Sequence, residues 1–137
     1  MSNFEIINND SGKIPVWDPK FIDITLEAGE AIDYPAGQVL AFNATTGNYE
    51  ATDSATAAIA NAKAVLAQDV SFAGAEAQTN RRALVGGEVD ETKLVFLGAD
   101  DLETIPAGAA DSFRLQLRDY GIIARPSQVM DELDNQP

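Results

Sequence analysis

The chain contains no cysteine and no histidine. Disulfides, thiolate nucleophiles, cysteine or histidine zinc sites and every histidine-based triad are therefore excluded. The absence of cysteine suits a cytosolic product. Basic residues are scarce: 9 Lys and Arg stand against 22 Asp and Glu, a net charge of −13. A chain this acidic repels nucleic acid, and no Lys/Arg stripe offsets the effect. A charge of −13 is read as serving solubility or as suiting a basic protein surface as partner. No stretch approaches the roughly 20 apolar residues of a membrane span. The opening Met1-Ser2-Asn3-Phe4-Glu5 has neither a basic region nor an apolar core, so no secretion signal is expected.

What is present fits one small domain. The 137 residues are 45% hydrophobic, enough for a modest core. Residues 1–25 read as an extended N-terminal arm. Phe4, Ile6, Ile7, Ile14, Val16, Trp17 and Phe21 supply apolar surface, but Asn8-Asn9-Asp10-Ser11-Gly12, Pro15 and Pro19 break every helical or long strand period. About 20 extended residues reach roughly 65 Å, against a radius of gyration of roughly 14 Å for a compact chain of this length. Two outcomes stay open: the arm reaches beyond its own body, or it folds back and completes its own sheet.

From Phe21 onward the pattern is β. Ile22, Ile24 and Leu26 alternate with Asp23, Thr25 and Glu27. Short strands are expected at 31–34, 38–43 and 49–52, with a Thr45-Thr46-Gly47-Asn48 hairpin turn whose glycine supplies a positive φ. The alanine-rich segment 53–63 is expected to be a small-residue loop. Ala64 to Phe72 and Arg82 to Val89 read as strands, the second bent at Gly86-Gly87. Asp111 is the expected N-cap of a helix from Ser112 to Tyr120, with Phe113, Leu117 and Tyr120 on one face and Gly121 as its terminator. Ile122-Ile123-Ala124 is a last strand, and an acidic tail occupies 126–137.

Chemistry-bearing patterns are weak. Asp100, Asp101 and Glu103 offer oxygen ligands to a hard cation but lack EF-hand spacing. Carboxylate pairs abound by composition alone, Ser11 and Lys13 lack a third partner, and Gly86-Gly87-Glu88 lacks the Lys and Ser/Thr of a phosphate loop. Arg81-Arg82 read as edge-strand guards or ion-pair partners. Trp17 reads as an interface anchor or a cap on the protein's own core. Neither an enzyme nor a cofactor is expected.

The order of motifs resembles the lambda-like bacteriophage head decoration, or capsid cement, proteins. The residues that carry the resemblance are Ala36-Gly37-Gln38-Val39-Leu40-Ala41, Thr46-Gly47-Asn48-Tyr49, Ala64-Val65-Leu66-Ala67-Gln68-Asp69-Val70, Ala83-Leu84-Val85-Gly86-Gly87-Glu88-Val89 and Leu117-Arg118-Asp119-Tyr120-Gly121-Ile122-Ile123. They follow one another over roughly residues 31–124. The alanine-rich 53–63 and the tail after Pro126 depart from the family pattern. The resemblance implies a mainly β, barrel or β-tulip-like body over 26–125 with one short late helix. It further implies a non-enzymatic virion protein, made in the host cytoplasm, that sits on the outer surface of the expanded head as a homotrimer or dimer. Its partner would be the major capsid protein, with Phe4, Ile6, Ile7, Ile14, Val16, Trp17 and Phe21 forming the capsid-binding arm. Two other classes compete: a small glycan- or cell-surface-binding module, and a carboxylate-based hydrolase.

Overall fold

A computed structural model describes residues 15–27, 32–72 and 77–126. Among the described residues, eight strands and one α-helix appear in the order β1 (Pro15–Leu26), β2 (Ile32–Tyr34), β3 (Val39–Asn43), β4 (Asn48–Ala51), β5 (Ala62–Leu66), β6 (Val70–Phe72), β7 (Gln78–Asp90), α1 (Phe113–Asp119) and β8 (Ile122–Arg125). The larger sheet has the order β1-β4-β3-β5-β7-β8, and β1 also pairs with β7. That extra pairing closes β1, β4, β3, β5 and β7 into a five-stranded barrel, with β8 added outside the ring in parallel to β7. β2 and β6 form a separate antiparallel pair, Ile32↔Phe72 to Tyr34↔Val70. The mainly β body with one short late helix is the expected fold class.

The long ribbon between β1 and β7 governs the shape. β1 lies antiparallel to β7 from Pro15↔Val89 to Leu26↔Gln78. The register slips four times along the way. Two slips add a residue on β7: Val85, between the Lys20↔Gly86 and Phe21↔Leu84 pairs, and Asn80 near the far end. Asn80 has φ +56° and Gly87 φ +110°, so both bend the strand. Such bulges curve a long ribbon enough to close a small ring. The segment expected to be a reaching arm therefore belongs to the body from Pro15 onward, as the fold-back alternative required. Sequence period alone could not decide this, because the pairing spans more than 50 residues of chain. Residues 1–14 of the expected arm and residues 127–137 of the expected tail lie outside the described residues.

The β3–β4 hairpin forms as the turn chemistry predicts. Gly47 takes φ +79° and its N–H donates to the Asn43 carbonyl at 2.7 Å. Ala64 to Phe72, expected as one strand, is two. β5 ends at Leu66, and the chain turns so that Asp69 Oδ1 accepts from Ala36 N–H at 2.7 Å before β6 begins. Segment 53–63 is mostly turn, with a single 3-10 turn at Ala57–Ile59, before β5 starts at Ala62. The helix starts one residue later than expected, with Ser112 rather than Asp111 as its cap. The Ser112 Oγ accepts from Leu115 N–H at 3.4 Å. Phe113 and Leu117 are buried as the helical spacing predicts, whereas Tyr120 is 49% exposed.

Two apolar clusters fill the body. One gathers Val39, Val65, Leu84 and Val89 beneath Phe113, Leu117 and Ile122. The other gathers Ile24, Leu26, Leu40, Leu66 and Ala83 beneath Ile32 and Val70 of the β2–β6 pair. Neighbouring residues such as Val39 and Leu40, Val65 and Leu66, or Ala83 and Leu84 enter different clusters, so β3, β5 and β7 are buried on both faces. Each large side chain so buried contributes roughly 1.5–3 kcal/mol. Tyr34 ties the β2–β6 pair to the barrel, its hydroxyl accepting from Ala51 N–H at 3.3 Å. Burial pushes that phenol above its ordinary pKa, so it stays neutral at physiological pH.

Gly37 shows how tightly the loops are threaded. Its N–H donates to Leu66, its carbonyl accepts from Val95 N–H, and its φ is +101°. A Cβ built there would lie 2.0 Å from the Lys93 carbonyl oxygen, which is backbone and cannot step aside. Gly37→Ala is expected to destabilise the fold by roughly 2–4 kcal/mol, read as a fall of about 8–15 °C in Tm. Gly47→Ala, at an open position with a positive φ, should cost only about 1–2 kcal/mol.

Candidate functional site

Of the residues expected to bind a partner, Phe21 is the one whose side chain is described. Phe4, Ile6, Ile7 and Ile14 lie outside the described residues. Val16 and Trp17 are backbone members of β1, with Trp17 registered opposite Glu88. Their side chains lie outside the description. Phe21 is turned inward against the cluster under α1, with the Arg82 guanidinium 5.1 Å from its ring centre. Phe21 thus serves the protein's own core and does not stand as a free anchor.

Among the described residues, one edge of β1 is left without a strand partner over most of its length. That flank meets β4 only at Leu26↔Tyr49, where Glu27 N–H donates to the Tyr49 carbonyl at 2.7 Å. Among the described residues no strand pairs with that flank before Leu26. Ile22 is 44% exposed on this strand. An open edge presents unpaired main-chain N–H and C=O groups to any extended segment laid along it. Pro15 and Pro19 have no N–H to offer, so the usable edge is confined to residues 21–25.

A second surface was not legible as a site in the sequence. Phe42 of β3, Tyr49 of β4, Lys63 of β5, Val85 of β7 and Tyr120 beyond α1 line a shallow groove of about 330 Å³. Phe42 and Tyr49 are registered opposite each other, and their rings meet edge to face at 5.2 Å. The Lys63 ammonium lies 5.2 Å from the Phe42 ring centre and 5.0 Å from that of Tyr120. A slip in the β3–β5 register places Lys63 there. Leu40 faces Ala64 and Ala41 faces Ala62, so Lys63 is an extra residue pushed out of the ladder. The five residues are scattered between positions 42 and 120 and share no spacing that a sequence pattern could reveal.

The acidic loop is committed to the fold. Asp100 accepts from Ser54 N–H at 3.0 Å and from its hydroxyl at 2.7 Å. Asp101 Oδ1 accepts from Glu103 N–H at 2.8 Å. Glu103 accepts from Arg114 Nε at 3.0 Å and Nη2 at 2.8 Å, and Glu91 pairs with Arg114 Nη1 at 3.1 Å. Among the described residues no three acidic side chains converge on one point as a cation would require. Glu103 first, and then Glu91, hold the Arg114 guanidinium above its ordinary pKa. Arg114 thereby pins the 91–93 turn, the 103 loop and α1 together. Of the two basic residues read as edge guards, Arg81 hydrogen-bonds Gln78 at 2.6 Å and Arg82 covers Phe21.

The chain matches no known protein family, and no curated protein resembles it closely enough to align.

Arg114→Ala is expected to lower stability by about 1 kcal/mol, since the pairs are partly exposed. Arg114→Lys should recover less than half of that, because an ammonium cannot hold Glu103 with a planar fork. Chemical denaturation of the three proteins checks both expectations.

Proposed function

We propose that this protein is a capsid decoration protein that binds the outer surface of an expanded phage head and stabilises it by bridging major capsid protein subunits. One observation carries this reading. The segments that resemble the decoration family fall on elements of one folded body: β3, the β3–β4 turn, β5 and β7 of the closed barrel, with β6, α1 and β8 packed around it.

The physics of a cement protein fits the parts. The arm of the proposal is now residues 1–14, with Phe4, Ile6, Ile7 and Ile14 as its apolar contacts. Fourteen residues reach at most roughly 50 Å when extended, enough to cross from the barrel onto a neighbouring subunit. A strand laid on a sheet edge gains main-chain hydrogen bonds along its length. Trimerisation would present three arms at once, turning modest contacts into strong avidity. The charge of −13 favours a protein surface over packaged nucleic acid.

A second reading, a small glycan-binding module displayed on a particle, is favoured by the aromatic groove around Lys63.

Cosedimentation with empty expanded heads tests the first reading. Deleting residues 2–14 leaves all of β1 in place. The truncated protein should keep the circular dichroism and the Tm of the full chain while its affinity for heads falls by at least about tenfold, equivalent to about 1.4 kcal/mol. Full affinity after this deletion contradicts the arm, and no affinity of the intact chain for heads contradicts decoration altogether.

A further inference from the structure

We infer that the groove lined by Phe42, Tyr49, Lys63, Val85 and Tyr120 is a binding site for an acidic sugar unit, a hexuronate within a polysaccharide, with Lys63 as the group that takes its carboxylate. The inference rests on the glycan-module reading and is independent of capsid binding.

Lys63 is the first observation. Its ammonium lies over two aromatic faces and has no carboxylate partner among the described residues. Among the described residues Arg114 and Arg125 form ion pairs, whereas the Lys63 ammonium is held by aromatic faces. Aromatic faces hold an ammonium in place but accept none of its three N–H donors as strongly as an anion does. The backbone irregularity is the second observation. A bulge costs ladder pairing, and here it inserts Lys63 as the extra residue opposite Ala41. Bulges of this kind re-aim a side chain beside functional sites.

The remaining lining sets the ligand class. Tyr49 and Tyr120 bring hydroxyls that have no hydrogen-bond partner among the described residues, whereas the Tyr34 hydroxyl has one. Phe42, Val85 and the tyrosine rings offer apolar surface. A ligand that fits all three chemistries carries a carboxylate for Lys63, hydroxyls for the phenols and a C–H face for the rings. An acidic sugar has all of these. The groove, at about 330 Å³, sits at the lower end of the range for small-ligand sites, the size of one or two sugar units. Its openness to solvent suits a residue within a chain, whose neighbours must leave at both ends. A simple aromatic acid lacks the hydroxyls, and a neutral sugar leaves the ammonium unsatisfied.

Titration of the isolated full-length protein with a tetragalacturonate, with a neutral glucose tetrasaccharide and with benzoate tests this, followed by calorimetry and by amide and side-chain NMR shifts. The expected result is saturable binding of the tetragalacturonate, held by short-range contact with Lys63 against the net charge of −13 and with shifts centred on Phe42, Lys63 and Tyr120. The neutral tetrasaccharide and benzoate should bind at least about tenfold more weakly. Lys63→Gln and Tyr120→Ala should each weaken the acidic probe by about tenfold or more, with Tm within a few degrees of the parent. Arg125→Gln, which removes a cation paired with Glu88 away from the groove, should leave binding unchanged. Absence of saturable binding, undiminished binding by Lys63→Gln, or tighter binding of benzoate would overturn the inference. Equal binding of the neutral tetrasaccharide would overturn the acidic-sugar assignment while leaving the glycan-module reading intact. Lys63→Gln should still cosediment with heads as the parent does, so loss of sugar binding and loss of capsid binding are separable.

Discussion

Closure of the barrel rests on the antiparallel ribbon between Pro15–Leu26 and Gln78–Asp90. Strand β7 is the common member of the sheet. It pairs with β1 along its length, with β5 at Leu84 and Ala83, and with β8 from Gly87 to Asp90. Without β1 the ring is an open sheet and the cluster around Leu26 and Leu40 loses Ile24 and Leu26 from one side. Without β7, no strand remains to join β5, β8 and β1. The bulges at Asn80 and Val85 and the positive φ of Gly87 are what let so long a ribbon bend around a small core.

This ribbon also decides what is left over for function. Because β1 serves the barrel on one flank, its residues 15–26 are committed to the body, and among the described residues no strand pairs with the opposite flank before Leu26. The same economy appears in the acidic loop, where Asp100, Asp101 and Glu103 are held by Ser54, by local backbone and by Arg114. The Lys63 groove is the converse: a cation and two phenol hydroxyls with no ion-pair or hydrogen-bond partner among the described residues, although their rings pack together.

Local signals were legible in the sequence and long-range ones were not. Gly47 marks a hairpin through its own φ, and Gly121 terminates α1 at φ +90° for the same reason. The Phe113 and Leu117 spacing announces a buried helix face. By contrast, the period of Ile22, Ile24 and Leu26 identifies a strand but not its partner. Only pairing with residues nearly 60 positions away shows that this strand belongs to the body. The break between β5 and β6 was hidden because Ala67-Gln68-Asp69 has no glycine or proline. The chain turns there through contacts with distant partners, Ala36 N–H on Asp69 and Arg82 N–H on Gln68. The Lys63 site depends on a bulge and on four strands brought side by side, and neither leaves a mark on local composition.

The central claim is that Pro15–Leu26 is part of the folded body, as strand β1 of the barrel. Hydrogen exchange measured on the isolated protein, residue by residue, tests it most directly. The account predicts that the amides of Phe21–Leu26 that face β7 exchange as slowly as those of Arg81–Leu84, opening only with global unfolding. Rapid exchange throughout Phe21–Leu26, beside protected amides in β7, would contradict it.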